Sequence, residues 1–410
     1  MSSSLHIQVG GAGVKIGEML WKLYEKEYNE TTQKNYIYEE VDGIYYPQAL
    51  FLDTDDRIIH EVQKNTSIKF KNNSFLHAKE DASTYYRGWY SVGDKILFEA
   101  LDYIRKKIET MDRLEEIVIT NSIGGGTGLV YYITQYVKLK VKIHGFMIFP
   151  SSEMCNSTVE IYNTINSSQV LIENFYSITI FDNQSMLLII NQVWTLLIIN
   201  IQIMCSYTGL RRFNNSDNSK FLSNLCPYPQ MHFLIPSYGQ MTLINDYTRN
   251  ELKQEQFIKY FTKVEQKLYQ CPKSPNYIST ALLFRQKQLN SFYGKFDLTL
   301  KNFENYFGQS PNIFQCQSSN YQVLPELAQM KQTGTFFSND ASIVSRFKLL
   351  TRKFDILYAK RGFGHWYVGQ GRKEKEMSEQ RDQFGDLIAD YEDFQSCGNL
   401  QNEIQNDDEF

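Results

Sequence analysis

The decisive part of this sequence is Asn121-Ser122-Ile123-Gly124-Gly125-Gly126-Thr127-Gly128, which directly follows the apolar run Ile117-Val118-Ile119. The β-branched run predicts a buried strand, and the apolar residues from Leu129 onwards predict a helix. A strand, a glycine turn and a helix in this order bring backbone N–H groups and the positive end of the helix to one place. Consecutive glycines also remove the side chains that would hold a phosphate away from the backbone. We therefore predict an anion-binding turn here.

This turn is not one of the two commonest nucleotide motifs. No lysine follows the glycines, so the stretch is not the Walker loop GxxxxGK[ST]. Its spacing also differs from the GxGxxG of dinucleotide-binding folds. Because short glycine motifs also occur in ordinary turns, the prediction needs support from the rest of the chain.

Bulk composition narrows the class of protein. The 410 residues can bury a large core and suggest two or three domains. A net charge of −4 provides no excess of positive charge to attract nucleic acid, so we expect no nucleic-acid partner. The six cysteines form no CxxC pair, which favours reduced thiols over disulfides or zinc. The amino terminus shows no secretory signal.

Residues 1 to about 180 alternate short apolar runs with helix-like stretches. The runs at 5–9, 49–52, 117–119 and 146–149 are strand-like, and residues 16–28 and 92–111 have helical periodicity. This alternation predicts an α/β fold in which helices cover a parallel sheet.

Several motifs, in order along the chain, resemble the tubulin family. Residues 122–128 resemble its phosphate loop GGGTGSG, and residues 10–17 with Trp21 resemble GQAGVQIG…W. Further similar segments are 47–53 (PRAVFVD in the family), 80–88 (EDAANNYARG, one residue shorter here), 227–233 (PYPRIHF), 354–361 (FDLMYAKR) and 365–369 (HWYVG). The last two are closest to the alpha type, so the chain resembles a divergent, alpha-like tubulin.

The resemblance implies a domain organisation. It predicts a Rossmann-like GTP-binding domain at 1–186, a long core helix at 187–213 and a mixed α+β intermediate domain at 214–340. A C-terminal helical hairpin at 341–396 and an acidic, disordered tail at 397–410 would follow.

The uncharged stretch 183–210 is long enough to suggest a transmembrane helix. Amides at Asn191, Gln192, Asn200 and Gln202 and the absence of a preceding basic flank argue against a membrane span. The family has a buried central helix here, which is apolar all round for packing reasons. We therefore expect no membrane insertion.

The resemblance implies a bound GTP or GDP with Mg²⁺. Gly10, Gly11 and Ala12 would form a second N–H-rich turn facing residues 122–128, although the family has Gln where Gly11 stands. Asp55 would meet Mg²⁺ through water near Asp53, with a helix cap as the alternative role for either. The nucleotide-binding set implied for the phosphates and the nucleoside is Gly10, Gly11, Ala12, Asp81, Ser122, Gly124, Gly125, Gly126, Thr127, Gly128, Asn156, Glu160, Asn183 and Asn200.

Some of these assignments stay open. Glu160 would bind ribose and Asn183 guanine, but Leu197 competes with Asn200 for the second base-binding position. Trp194 is either the stacking aromatic or a core residue. A deletion after Ser83 removes an Asn near the γ-phosphate, with Thr84 as its replacement.

Hydrolysis in this family uses a glutamate that the next subunit supplies. Lys220 stands at that position, and a lysine ammonium cannot orient water as a base. Asp217 is nearby, and an altered alignment of this loop is the alternative explanation. Whether the chain promotes GTP hydrolysis is therefore left open.

The implied function is that of a GTP-binding cytoskeletal subunit. It would form alpha/beta-type heterodimers and microtubules, and its acidic tail would contact microtubule-associated proteins. The alternatives are a specialised tubulin of basal bodies or cilia and a nucleotide-dependent capping subunit. The expected location is the cytoplasm, on microtubules, or in a cilium or basal body.

Overall fold

One mixed sheet organises the described part of the molecule. The computed structural model describes residues 2–28, 36–151, 157–185, 204, 218–243, 263–272, 275–286, 314–320, 330–371 and 373–407. The sheet contains ten strands in the order β11-β10-β12-β9-β8-β7-β6-β1-β4-β5, and β2 and β3 form a separate hairpin. The strands are β1 Ser2–Val9, β2 Tyr38–Val41, β3 Ile44–Pro47, β4 Ala49–Asp53, β5 Phe75–His77, β6 Arg113–Ser122, β7 Lys142–Phe149, β8 Ser177–Asp182, β9 Phe233–Leu243, β10 Tyr277–Gln286, β11 Phe314–Asn320 and β12 Met330–Asp340.

The helices lie on both faces of this sheet. They are α1 Gly10–Tyr28, α2 Asp56–Asn65, α3 Asp94–Thr110, α4 Leu129–Val137, α5 Glu160–Asn174, α6 Asn218–Leu225, α7 Val344–Ala359, α8 Gly364–Val368 and α9 Glu374–Asp407. A π-helical turn, Arg87–Ser91, precedes α3. The α9 helix continues past residue 396, where the sequence predicts that a disordered tail begins.

Strand β6 shows why the amino-terminal strands are almost continuously apolar. Ile117 and Ile119 belong to one buried cluster, together with residues of α3, α4 and α5. Val118 belongs to a second cluster, with residues of α1 and α2. Successive side chains of a strand point to opposite faces, so a strand buried on both faces must be apolar at every position.

The sheet changes character at β9. All pairings from β5 through β8 and on to β9 are parallel, whereas β12 is antiparallel to β9 and to β10. Only Ile178↔Phe233 and Thr179↔Leu234 join β8 to β9. Helices α7 and α9 pack on each other and on α5, next to the parallel half.

The predicted α/β class is confirmed, including the C-terminal helices. Apart from residue 204, which is helical, the predicted core helix at 187–213 lies outside the described residues. Within the part of the chain that the structure describes, no helix is both long and apolar enough to cross a bilayer.

Candidate nucleotide-binding site

Two strand-to-helix turns meet at the carboxyl ends of β1 and β6, which are adjacent parallel strands with Val9 opposite Asn121. We call residues 10–12 the amino-terminal turn and residues 122–128 the glycine turn. They border a cavity of about 350 Å³. The residues that line the cavity are Val9, Gly10, Gly11, Ala12, Leu52, Asp53, Thr54, Asp81, Ala82, Ser83, Ile96, Ser122, Gly124, Gly125, Gly126, Thr127, Leu129, Ser157, Val159 and Glu160.

The amino-terminal turn needs glycine for backbone reasons. Gly10 has φ = +73°, a conformation that L side chains rarely adopt, and a Cβ there would lie 3.0 Å from Thr127 Cγ2. A Cβ on Gly13 would lie 2.2 Å from the Thr120 carbonyl oxygen. The first turn of α1 therefore sits directly against the β6 backbone, which brings its N–H groups to the cavity.

Glycines of the glycine turn have different roles. A Cβ on Gly126 would lie 1.8 Å from the Ala82 carbonyl oxygen, and one on Gly128 would lie 2.1 Å from the Tyr85 carbonyl oxygen. A Cβ on Gly125 would meet nothing closer than the Ser122 oxygen at 4.0 Å. Gly126 and Gly128 thus allow close packing on residues 82–89, and Gly125 is the position with open space beside it. The sequence had predicted one reason, phosphate approach, for the consecutive glycines 124–126.

Thr127 is committed to the turn itself. Its hydroxyl donates to the Ser122 carbonyl oxygen at 3.0 Å and accepts from Asn121 Nδ2 at 3.1 Å. A hydroxyl has one donor hydrogen, and here the turn uses it. Thr127 lines the cavity but stabilises the shape of the glycine turn rather than offering its hydroxyl proton to a ligand.

Asn163 on α5 is a site residue that the sequence analysis missed. Its side-chain amide donates to the carbonyl oxygens of Gly124 (2.9 Å) and Ser83 (3.1 Å). Its oxygen accepts from the Tyr85 N–H and from the Tyr367 hydroxyl, each at 2.8 Å. A buried Asn within an amphipathic helix was the available signal, but its partners lie far away in sequence.

The two aspartates at the end of β4 face different surroundings. Asp53 lines the cavity, its Oδ1 accepts from the Asp55 N–H at 3.2 Å, and its Oδ2 is buried without a partner. Burial raises the pKa of the Asp53 carboxyl to about 6. An unpartnered buried carboxylate oxygen is what a bound cation would satisfy.

Asp55 instead caps helix α2. Its side chain accepts from the Arg57 N–H at 3.0 Å and forms an ion pair with the Arg57 guanidinium, which lowers the pKa of Asp55. Asp55 is absent from the cavity lining. The capping alternative therefore describes Asp55, and Asp53 is the carboxylate that this geometry presents to a ligand.

The remaining implied residues divide into three groups. Asp81 and Glu160 line the cavity, as does Ser83, whereas Thr84 is buried and accepts from the Arg87 N–H. Asn183 is exposed and does not line it; the buried Asp182 before it accepts from the Gln184 N–H. The predicted residues outside the described part of the chain are Asn156, Trp194, Leu197, Asn200 and Asp217.

Lys220 lies in α6, and its side chain is likewise outside the described atoms. Among the described residues, no group of three or more His, Cys, Asp or Glu side chains could hold a metal ion alone. A cation at this site would need ligands from the phosphates, which is the usual arrangement for Mg²⁺.

The comparison with known families agrees with this geometry. Residues 3–191 match the model of the Tubulin/FtsZ family, GTPase domain. The matched region covers β1 to β8, and with them both turns and every residue that lines the cavity. Residues 3–191 are thus similar to the GTPase domain of the Tubulin/FtsZ family, in the part of the chain that forms the cavity.

Proposed function

We propose that this protein is a structural cytoskeletal subunit of the tubulin type, which binds one guanine nucleotide with Mg²⁺ and associates with other tubulin-type subunits. The observation that carries the proposal is the cavity between two N–H-rich turns. Facing turns of this kind bind a polyanion better than a single turn, since each contributes N–H groups and a helix N-terminus.

Asp53 supports the magnesium part of the proposal. Its unpartnered Oδ2 lies 3.8 Å from where a Cβ of Gly11 would be, at the junction of β4 with the amino-terminal turn. Asp53 would hold a hydrated Mg²⁺ through this carboxylate. The ion would supply charge neutralisation for the phosphates.

The bound nucleotide should be identified directly. Protein purified with Mg²⁺ should release about one equivalent of GTP or GDP on denaturation, measured by chromatography. Gly125→Val should fold normally, because its side chain enters open space, yet should lose nucleotide because the same space adjoins the phosphate turn. Gly125→Ala, the matched small substitution, should retain more. Full occupancy in Gly125→Val would overturn the assignment.

A surface around α8 supports the proposed association. Ile356 on α7 and Trp366 and Val368 on α8 are 49%, 46% and 44% exposed. Exposed large apolar side chains of this kind are candidates for a protein contact. We propose that a second tubulin-type subunit covers them.

A binding experiment tests this surface. Trp366→Ala should weaken cosedimentation with polymerised tubulin or pull-down of a beta-type chain. Phe98→Ala is the matched control, because Phe98 is 81% exposed on α3, a different element. Equal effects of the two substitutions would show that α8 is not the contact.

Lys220 favours a second candidate function, that of a specialised or capping subunit which does not promote GTP hydrolysis in its neighbour. A lysine in place of a water-orienting glutamate would leave the neighbouring subunit's GTP almost unhydrolysed and create a stable contact, as a specialised or capping subunit requires. General-base placement contributes roughly 10²–10⁴-fold. Lys220→Glu should therefore speed phosphate release from copolymers. Equal, fast release from both proteins would assign the role to Asp217 or another group.

A further inference from the structure

The amide of Asn163 connects parts of the chain that are far apart in sequence. The side chain is fully buried. A primary amide has two donor hydrogens and two acceptor lone pairs, and here all four are used. The donors go to Gly124 and Ser83, and the acceptors are taken by Tyr85 and Tyr367.

Two of these partners belong to the cavity. Gly124 and Ser83 both line it, from the glycine turn and from the segment that packs against that turn. Because one amide group donates to both carbonyl oxygens, it fixes the distance between the two segments. The N–H groups of the glycine turn can bind a phosphate only if the turn keeps its shape.

Tyr367 comes from outside the matched domain. It is fully buried in α8, and its hydroxyl also lies 3.3 Å from the Val159 carbonyl oxygen. Burial raises the pKa of Tyr367, so the hydroxyl keeps its proton and remains a donor. Its ring contacts the rings of Tyr86 and Tyr162, with centroids 5.8 and 5.2 Å apart, which holds the hydroxyl in place.

The neighbours of Tyr367 in α8 face the opposite way. Trp366 and Val368, immediately before and after it, are about half exposed. A contact with either side chain would therefore act one residue away from the hydroxyl that Asn163 accepts.

We propose that Asn163 is the positioning residue of the phosphate-binding turn, and that Tyr367 holds Asn163 in place. The packing of Tyr367 in α8 then sets how tightly the nucleotide is retained. This inference rests on the proposed nucleotide binding, and its readout is the rate of release from protein already shown to carry nucleotide.

Tyr367→Phe removes only the hydroxyl and keeps the ring. It should raise the release rate of a fluorescent GDP analogue by roughly five- to tenfold, the equivalent of one buried hydrogen bond. Tyr86→Phe is the matched control: its hydroxyl donates at 2.8 Å to Gln380 on α9, another buried amide. That substitution should change release by less than about twofold.

Thermal unfolding of the two variants separates positioning from general loosening. If both lower the melting temperature equally but only Tyr367→Phe speeds release, the hydroxyl acts on the site. Equal release rates would overturn the inference while leaving the proposed function intact, since the wild type would still carry nucleotide. A wild type without nucleotide would instead overturn the proposed function.

Asn163→Ala provides a double-mutant test. In that background Tyr367→Phe should have almost no further effect on release, because the acceptor is gone and the two substitutions act on one contact. Independent, multiplicative effects would contradict the coupling. If Asn163→Ala fails to fold, the comparison of Tyr367→Phe with Tyr86→Phe still decides the matter.

Discussion

The two turns that border the cavity are alike in sequence and differ in how they are held. The amino-terminal turn depends on its immediate surroundings: the positive φ of Gly10 and the close approach of Gly13 to β6. The glycine turn depends on distant parts of the chain. It packs on the Ala82 and Tyr85 carbonyl groups and is bonded by Asn163, which is held in turn by Tyr367.

This difference shows that a short motif can specify an anion-binding shape without specifying what stabilises it. The first turn should respond to substitutions at its own glycines and at the residues that directly contact them, such as Thr120 and Thr127. The second should also respond to changes more than two hundred residues away, at Tyr367. Substitutions at matched positions in the two turns can therefore test this difference.

The largest effect is expected at Gly126. A Cβ at 1.8 Å from a backbone carbonyl oxygen cannot be accommodated unless segment 82–89 moves, so Gly126→Ala should destabilise the protein by about 3 kcal/mol or more. Gly125→Ala, one residue away with open space, should stay within about 1 kcal/mol of the wild type. Urea denaturation measures both. Similar losses in the two variants would show that the turn is not packed on that segment.

Asp53 should give the next largest effect, through the pH dependence of stability. The folded protein holds the Asp53 proton up to a pKa of about 6, whereas the usual value is 3.8. Raising the pH through this window therefore destabilises the ligand-free fold. Asp53→Asn should be more stable than the wild type by about 2–3 kcal/mol above pH 6 and similar to it below pH 4.

Two additions sharpen the Asp53 experiment. Nucleotide with Mg²⁺ should reverse the order, because the wild-type carboxylate gains a cation that asparagine cannot bind as strongly. Asp55→Asn is the control: asparagine can still cap α2, and because the pKa of Asp55 is lowered, any pH dependence of its stability difference should have the opposite sign. A flat stability difference between pH 4 and 7 for Asp53→Asn would contradict the assignment.

The smallest effect should come from the amino-terminal turn. Gly10→Ala combines the strain of a positive φ, about 1–2 kcal/mol, with a tight contact to Thr127 Cγ2. Gly43→Ala isolates the strain, since Gly43 has φ = +77° and nothing within 4 Å. Thr127→Ser removes Cγ2. Adding it to Gly10→Ala should therefore restore the part of the stability that the tight contact costs, as measured by thermal unfolding. No rescue would mean that the two turns do not touch there.

The sequence predicted what periodicity and local chemistry determine. Strands that are apolar on both faces, such as β6, indicated a parallel sheet with helices packed on both sides. The glycine runs indicated two turns at its edge. The roles of Asp53 and Asp55 could not be separated, because the decision depends on whether Arg57 pairs with Asp55. Asn163 and Tyr367 could not be found, since their contact joins α5 to α8 only in three dimensions. Motifs report local geometry, and the supports of the glycine turn are not local.

The central claim is that the cavity between the two turns binds a guanine nucleotide. The most direct measurement is calorimetric titration of nucleotide-stripped protein with GDP and with ADP, each in Mg²⁺, on the wild type and on Gly125→Val. We expect one binding site and loss of binding in a folded Gly125→Val protein. We also expect the wild type to prefer GDP over ADP by about 100-fold or more, since a mismatched base leaves polar groups unpaired. Equal affinity for the two nucleotides, or unchanged GDP binding in Gly125→Val, would contradict the central claim.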